Sequence, residues 1–434
     1  MPAVPSWITD AFRTTEPPAL ARPDHYDPAD VAAMLREIGI ALVEVSQPVQ
    51  VVEERLLRIA RRYTTERVQV AVLPTMLFIQ VGATHEMEGS AQPSSRLDMA
   101  ASVDEIAGLA AAGAISPRDA VDAVHAARLR PPRFGSVATT LGYALTTVGF
   151  GMMIEPTWRA LLAHLFLGLV VGLIVQIARP LPSLTPILPT LSAVVVTLLA
   201  TWFVADVAHD GLLRVISPAL VATLPGMALV VGSIELAGNR IVSGASRTVY
   251  GIAQLGLLVY GVVLGVRIAG EVPAQAASAP MGAWSLYASI LVIAVGLYVY
   301  LSAPSGSLLW LILIVAVATL VQNLAGMVLN AAHAGFVAAA VGIPFAMLAS
   351  RLKGAPPASM LALAAFWSLV PGQLTFMSVS RKVSGDFAND YANTAGVSVA
   401  AGAIVSIALG TLVGWSLVRT RAARTRRPSA PVAV

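Results

Sequence analysis

Residues 220–240 read LVATLPGMALVVGSIELAGNR. Most of this stretch is apolar enough for a membrane-spanning helix. Yet Pro225-Gly226 lies early in it, Glu235 further along, and Asn239-Arg240 closes it. Proline removes a backbone donor and crowds the preceding turn, and glycine lets the chain leave the helix. Backbone groups freed in this way cannot face lipid; they must line protein or water, where they can hold a polar solute. Pro225 and Gly226 are therefore candidate elements of a substrate path, with a plain kink as the alternative. Acids within spans are rare and cost roughly 2.5–3.5 kcal/mol at a helix centre on insertion scales. Glu235 either sits at the interface and pairs with Arg240, or serves as a proton-coupling or substrate-amine group.

The rest of the chain supports a membrane setting. Of 434 residues, 56% are hydrophobic and 12% charged, and the mean hydropathy is +0.75. Soluble proteins carry about 25% charged residues. The charges are concentrated: residues 1–133 hold 30 of the 52, with a net of −4, whereas residues 134–434 have a net of +8. This separates a polar N-terminal domain from a membrane domain. There are no cysteines, which excludes disulfides and thiolate metal sites. No cofactor or metal is expected. The basic surplus lies in loops and tail of the membrane part, so positive-inside topology explains it without a nucleic-acid partner.

Residues 1–28 carry six prolines and no uninterrupted apolar run, which predicts a disordered leader rather than a secretory signal. A small α+β domain is expected over 29–134, on the cytoplasmic side. Residues 48–63 read as an amphipathic helix with Val52, Leu56, Ile59 and Tyr63 on one face. VQVAVL (68–73) and MLFIQV (76–81) read as a hairpin around Pro74-Thr75. Residues 96–112 form a further helix, and Ser116, Pro117 and Asp119 start another. His85, Glu86 and Glu88 are either a site or a solvated loop after a strand. The domain has no Gly-rich phosphate loop, nucleophile elbow or His-Glu-x-x-His helix, so no enzymatic activity is expected.

A spanning helix needs about 20 apolar residues. Uncharged stretches predict ten, near 136–154, 158–178, 187–207, 217–237, 247–268, 283–302, 307–329, 334–350, 358–379 and 393–418. Pro304-Ser305-Gly306 and NAAHAG (330–335) divide the 79 uncharged residues from 272 to 350. With both termini inside, the inner loops and tail carry 11 Lys/Arg against 5 outside. Arg240, Arg247, Arg351 and Lys353 are the topology anchors. The arginines of the tail, 419–434, are expected to meet anionic lipid headgroups or to anchor the topology.

TLPGMALVVGSIELAGNRIVSG (223–244) has an echo in LVPGQLTFMSVSRKVSG (369–385), each at the fourth span of a five-span half. Five is odd, so halves over 135–270 and 271–418 insert inverted. Paired interrupted spans are the pointer to a substrate site in such transporters. Candidate substrate residues are Pro225, Gly226, Glu235, Asn239, Gln322, Asn323, Pro371, Gly372 and Gln373; candidate coupling acids are Glu235 and Asp206, with Asp206 also readable as part of a loop-edge cluster. Gln176, Gln254 and His164 read as polar contacts between helices. GLVVG (168–172), GVVLG (261–265) and GTLVG (410–414) either hold the bundle together or join protomers into a homo-oligomer.

The strand–Pro-Thr–strand block at 68–81, the paired helices of 95–135 and the Pro-Gly blocks of 217–247 and 356–394 together resemble the threonine/serine exporter family of bacterial inner-membrane proteins. The resemblance implies export of small amino acids, threonine and serine, driven by the proton-motive force. In some bacteria the halves occur as separate five-span proteins, and a related pair is linked to succinate export. It also implies roles for Pro225, Gly226, Pro371, Gly372 and the acid Glu235. A dicarboxylate exporter and a membrane sensor with a ligand-responsive soluble domain are the competing expectations.

Overall fold

The computed structural model describes residues 19–20, 26–89, 96–154, 156–204, 212–270, 279–329, 331–369 and 402–418. The described residues are mainly helical, with one small sheet. Most of the leader, the tail, Asp206 and the segment with Pro371, Gly372 and Gln373 lie outside the described residues.

The N-terminal domain is built around α1 (Pro28–Glu44), which the sequence reading did not anticipate. Asp27 caps it, accepting from the Ala29 N–H at 2.9 Å, and Pro28 opens its first turn. Val31, Leu35, Ile38 and Leu42 are fully buried. So many of its positions are buried that it shows no single polar face to read. Around it stand α2 (Val49–Tyr63) and the antiparallel strands β1 (Val68–Leu73), β2 (Met76–Val81) and β3 (Thr84–Gly89), followed by α3 (Leu97–Ala112) and α4 (Pro117–Leu129). The expected hairpin and the four buried positions of α2 are present. Ser116 caps α4 by accepting from the Asp119 N–H at 3.2 Å.

The stretch holding His85, Glu86 and Glu88 is β3, not a loop. Gly82, at φ +57°, turns the chain into it, a conformation suited to glycine. Its half-buried face carries Thr84, Glu86 and Glu88, so no apolar alternation announced the strand.

Among the described residues four helices are long and apolar enough to cross a membrane: α5 (Ser136–Ile154), α6 (Trp158–Ala178), α10 (Ile241–Ala269) and α12 (Leu308–Gly326). Shorter apolar helices stand where the other spans were expected: α7 (Leu188–Phe203), α9 (Gly226–Ala237) with α8 (Leu212–Ala219) before it, α11 (Trp284–Tyr300), α13 (Ala331–Ala349), α14 (Ala358–Leu369) and α15 (Gly402–Val418).

Glycines decide which helices touch. A Cβ on Gly149 of α5 would lie 2.6 Å from the Ile293 side chain of α11, and one on Gly142 would lie 2.7 Å from the Tyr300 backbone. The two helices therefore cross antiparallel. Gly168 of α6 backs onto Ala144 and Thr147 of α5. Gly261 and Gly265 of α10 press on Thr190 and Thr197 of α7; Gly410 and Gly414 of α15 press on Phe336 and Pro344 of α13. The three small-xxx-small motifs thus pack helices within one chain.

Candidate functional site

The interruption expected at Pro225-Gly226 is a true break. Helix α8 ends at Ala219, a 3-10 turn covers Val221–Thr223, and α9 restarts at Gly226 with Pro225 at its N-cap. Breaking the ladder frees carbonyls that need donors. The buried hydroxyl of Tyr143 on α5 donates to the Ala219 carbonyl at 2.5 Å, and Thr223 Oγ1 donates to the Leu220 carbonyl at 2.7 Å. The Tyr143 ring meets that of Tyr300 at 5.0 Å, and Tyr300 meets Trp367 of α14 at 6.0 Å. An aromatic chain therefore connects the break to α14.

At the other end of α9, Glu235 is fully buried. Its Oε1 accepts from the Val49 backbone N–H at 3.0 Å, and its Oε2 lies 3.2 Å from Nε of Arg247. Val49 opens α2, whose own N-cap position is Pro48 with no capping side chain. Glu235 supplies the missing cap from across the domain boundary, where the amide-rich helix start favours a carboxylate. The partner expected from sequence, Arg240, instead pairs with Glu53 of α2 at 2.7 Å. Arg247, expected as a loop anchor, lies inside α10 with its side chain only 12% exposed. Arg351 and Lys353 are exposed between α13 and α14.

Further contacts hold the domain down. The Leu97 N–H donates to the Leu301 carbonyl at 2.8 Å; Arg133 donates to the Tyr298 hydroxyl and, at 3.1 Å, to the Ala303 carbonyl. The domain thus rests on the ends of α9 and α11 and the start of α10.

Beneath it lies a cavity of about 220 Å³. The domain contributes Gln47, Pro48, Val51 and the Arg55–Asp104 pair, in which Arg55 donates to the Asp104 carboxylate at 2.5 Å and to its carbonyl at 3.0 Å. The membrane side contributes Met227, Val231 and Ile234 of α9, Ile343 of α13, Ser359 and Phe366 of α14 and Trp415 of α15. The cavity therefore lies between α9 and α14. Sequence reasoning missed Gln47, Arg55, Asp104 and Ser359, since each reads as an ordinary polar position within its own segment.

Other candidates fall elsewhere. Asn239 is exposed and takes φ +60°, which ends α9. Gln322 and Asn323 sit in the last turns of α12 rather than deep in a span; Gln322 is half-buried and Asn323 exposed, and neither lines the cavity. Gln176 reaches the Ser136 carbonyl of α5 at 3.3 Å, whereas Gln254 bonds Tyr250 on its own helix. His164 is buried against Gly151.

The acids of β3 belong to a separate network. Arg36 pairs with Glu86 and Glu88 at 2.8 Å each and with Glu37 at 3.0 Å. Arg128 of α4 reaches Glu37 at 2.6 Å and Glu44 at 3.1 Å, and His125 lies 3.3 Å from Glu37. Burial pushes the Glu37 carboxyl up, but the Arg128 and Arg36 guanidinium groups, with His125, outweigh it and hold the carboxyl below its usual range. This network joins α1, α4 and β3. Among the described residues no cluster of three or more His, Asp or Glu is arranged to hold a metal ion.

No curated protein and no solved structure matches the chain. A family model does, the one described as "Putative threonine/serine exporter", over residues 33–269. The match begins within α1, takes in the rest of the N-terminal domain and ends with α10; the second Pro-Gly block lies beyond it. On a match of more than half its length, this membrane protein belongs to the threonine/serine exporter family.

Proposed function

We propose that the protein is a secondary active exporter of small polar amino acids, threonine and serine, across the bacterial cytoplasmic membrane, coupled to protons. The family match over 33–269 carries this reading. Both termini are on the cytoplasmic side, and ten spans form two inverted five-helix halves. Three observations support the halves. The family match stops at Ala269, the last residue of α10. The fifth helix of each half packs its small-xxx-small motif on the third, α10 on α7 and α15 on α13. The first helices, α5 and α11, cross antiparallel.

The cavity is the substrate site, and the soluble domain is its inner cover. Glu235 holds that cover through Val49 while neutralising Arg247. Protonating Glu235 removes the counter-charge from both, loosens α2 and opens the cavity inward; Asp206 is the second candidate for coupling. The Arg240–Glu53 pair, 42% exposed at Arg240, is a second contact between the cover and the helices beneath it.

Counterflow of labelled threonine into proteoliposomes, competed by serine and by succinate, tests the reading on wild type and Glu235→Gln. Serine is expected to compete and succinate not to. Glu235→Gln is expected to keep exchange while losing proton-driven uphill transport. Succinate exchange without threonine exchange would replace the proposal with a dicarboxylate exporter.

A further inference from the structure

We infer that the start of α14, together with Gln47 of the N-terminal domain, forms the subsite for the α-carboxylate of the transported amino acid. The inference rests on the exporter reading and assigns the ends of the substrate to named groups of that cavity.

Ser359 is the first observation. A serine inside a helix can donate to a carbonyl one turn back, as Ser289 does to Leu286 at 2.7 Å and Ser368 to Ala365 at 2.8 Å. Ser359 lies in the first turn of α14, after Pro356-Pro357, so no helical carbonyl stands behind it. Its buried Oγ has no hydrogen-bond partner among the described residues, and with Ala358 it lines the cavity. The amides of that turn have no intrahelical acceptor either. Pro357 brings no capping oxygen, and the turn holds no acid. A helix start left in this state favours an anion.

Gln47 is the second. Ser46, at φ +61°, turns the chain after α1, and the Gln47 N–H closes on the Leu42 carbonyl at 3.2 Å. Its backbone donor is thus satisfied, but its side chain is not. Gln47 is 7% exposed, lines the same cavity, and its Nε2 has no partner among the described residues. Buried donors without acceptors are unfavourable, and one carboxylate has lone pairs enough for both Ser359 and Gln47.

The rest of the solute falls to other walls. Arg55 holds Oδ1 of Asp104 at 2.5 Å, and the second oxygen of that carboxylate can accept from the ammonium group. Thr411 is fully buried and donates to the Ile407 carbonyl at 2.8 Å, which leaves its oxygen to accept from the hydroxyl of threonine or serine.

Calorimetric binding of L-threonine and of L-threoninamide, whose carboxylate is replaced by a neutral amide, to the purified full chain in nanodiscs tests this. Wild type is expected to bind threonine about ten-fold more tightly or better, the scale of one hydrogen bond to a charged group. Ser359→Ala and Gln47→Leu are each expected to weaken threonine by about ten-fold. Threoninamide should lose much less, since a neutral acceptor makes the weaker bond. A merely structural role would weaken both ligands alike, and the wild-type comparison needs no variant to fold. Threoninamide binding wild type as tightly as threonine, or the two variants failing to weaken threonine selectively, overturns the inference. Threonine counterflow run in parallel separates the failures. Counterflow without the carboxylate preference discards the subsite and leaves the exporter; neither counterflow nor binding of threonine discards both.

Discussion

The backbone N–H of Val49 donates to Oε1 of Glu235 across 3.0 Å, so a carboxylate on α9 caps the first turn of a helix in the N-terminal domain. The same carboxylate faces Arg247 at 3.2 Å, in a place fully closed to solvent at Glu235. One side chain therefore couples the cover, the helix after the break and the helix that follows.

Glu235→Ala leaves the Arg247 guanidinium buried without its counter-ion. Removing one partner of a buried pair costs roughly 3–5 kcal/mol. Hydrogen exchange over residues 45–53 is expected to rise sharply, because α2 loses its cap. The neighbouring Arg240→Ala is expected to lose only about 0.2–1 kcal/mol, since the Arg240–Glu53 pair is partly exposed. Equal effects of the two variants on melting temperature would show that Glu235 is not the principal tie.

Tyr143→Phe removes the donor to the Ala219 carbonyl and leaves a buried acceptor unmade. A loss of roughly 1–3 kcal/mol is expected. The change should show as a lower thermal midpoint of the purified protein. Faster hydrogen exchange is expected over 219–226, with α2 undisturbed.

Gly149→Leu drives a side chain into the backbone of Ile293, where a Cβ alone would already lie 2.8 Å from the Ile293 nitrogen. Overpacking costs about 1–3 kcal/mol or more. Gly256→Leu is the control, because a Cβ there meets nothing within 4 Å. The first variant is expected to give little monodisperse protein by size-exclusion chromatography, and the second a normal yield.

The Glu37 carboxyl is held below its ordinary value of 4.5 by Arg128 and Arg36, against the upward push of burial. A depressed folded value means that the charged form contributes stability above the unfolded value. That contribution is lost as pH falls through the folded one. Wild type should therefore be more stable than Glu37→Gln near neutral pH. The two should converge on acidification below 4.5, read as hydrogen exchange in α1 and α4 of the full chain. Equal stability near neutral pH would leave the network without a measurable contribution.

Much of the architecture was legible before the fold was known. The break at Pro225, the interruption at 304–306, the capped start of α4 and the β1–β2 hairpin are all written in a few adjacent residues. Helix α1 and strand β3 were missed for opposite reasons: one is buried on too many sides, and the other turns its acids toward Arg36. Local patterning shows amphipathic elements well and these poorly.

The sequence by itself determined the division into a polar domain and a membrane domain, and the places where helices must start, stop or break. Those depend on composition and on short-range backbone chemistry. Only the tertiary structure decided that Glu235 answers to Val49, 186 positions away, that Arg240 turns to Glu53, and that Gln47 and Ser359 share one cavity. Such pairings come from how segments far apart in the chain pack against one another, and no spacing along the chain encodes them.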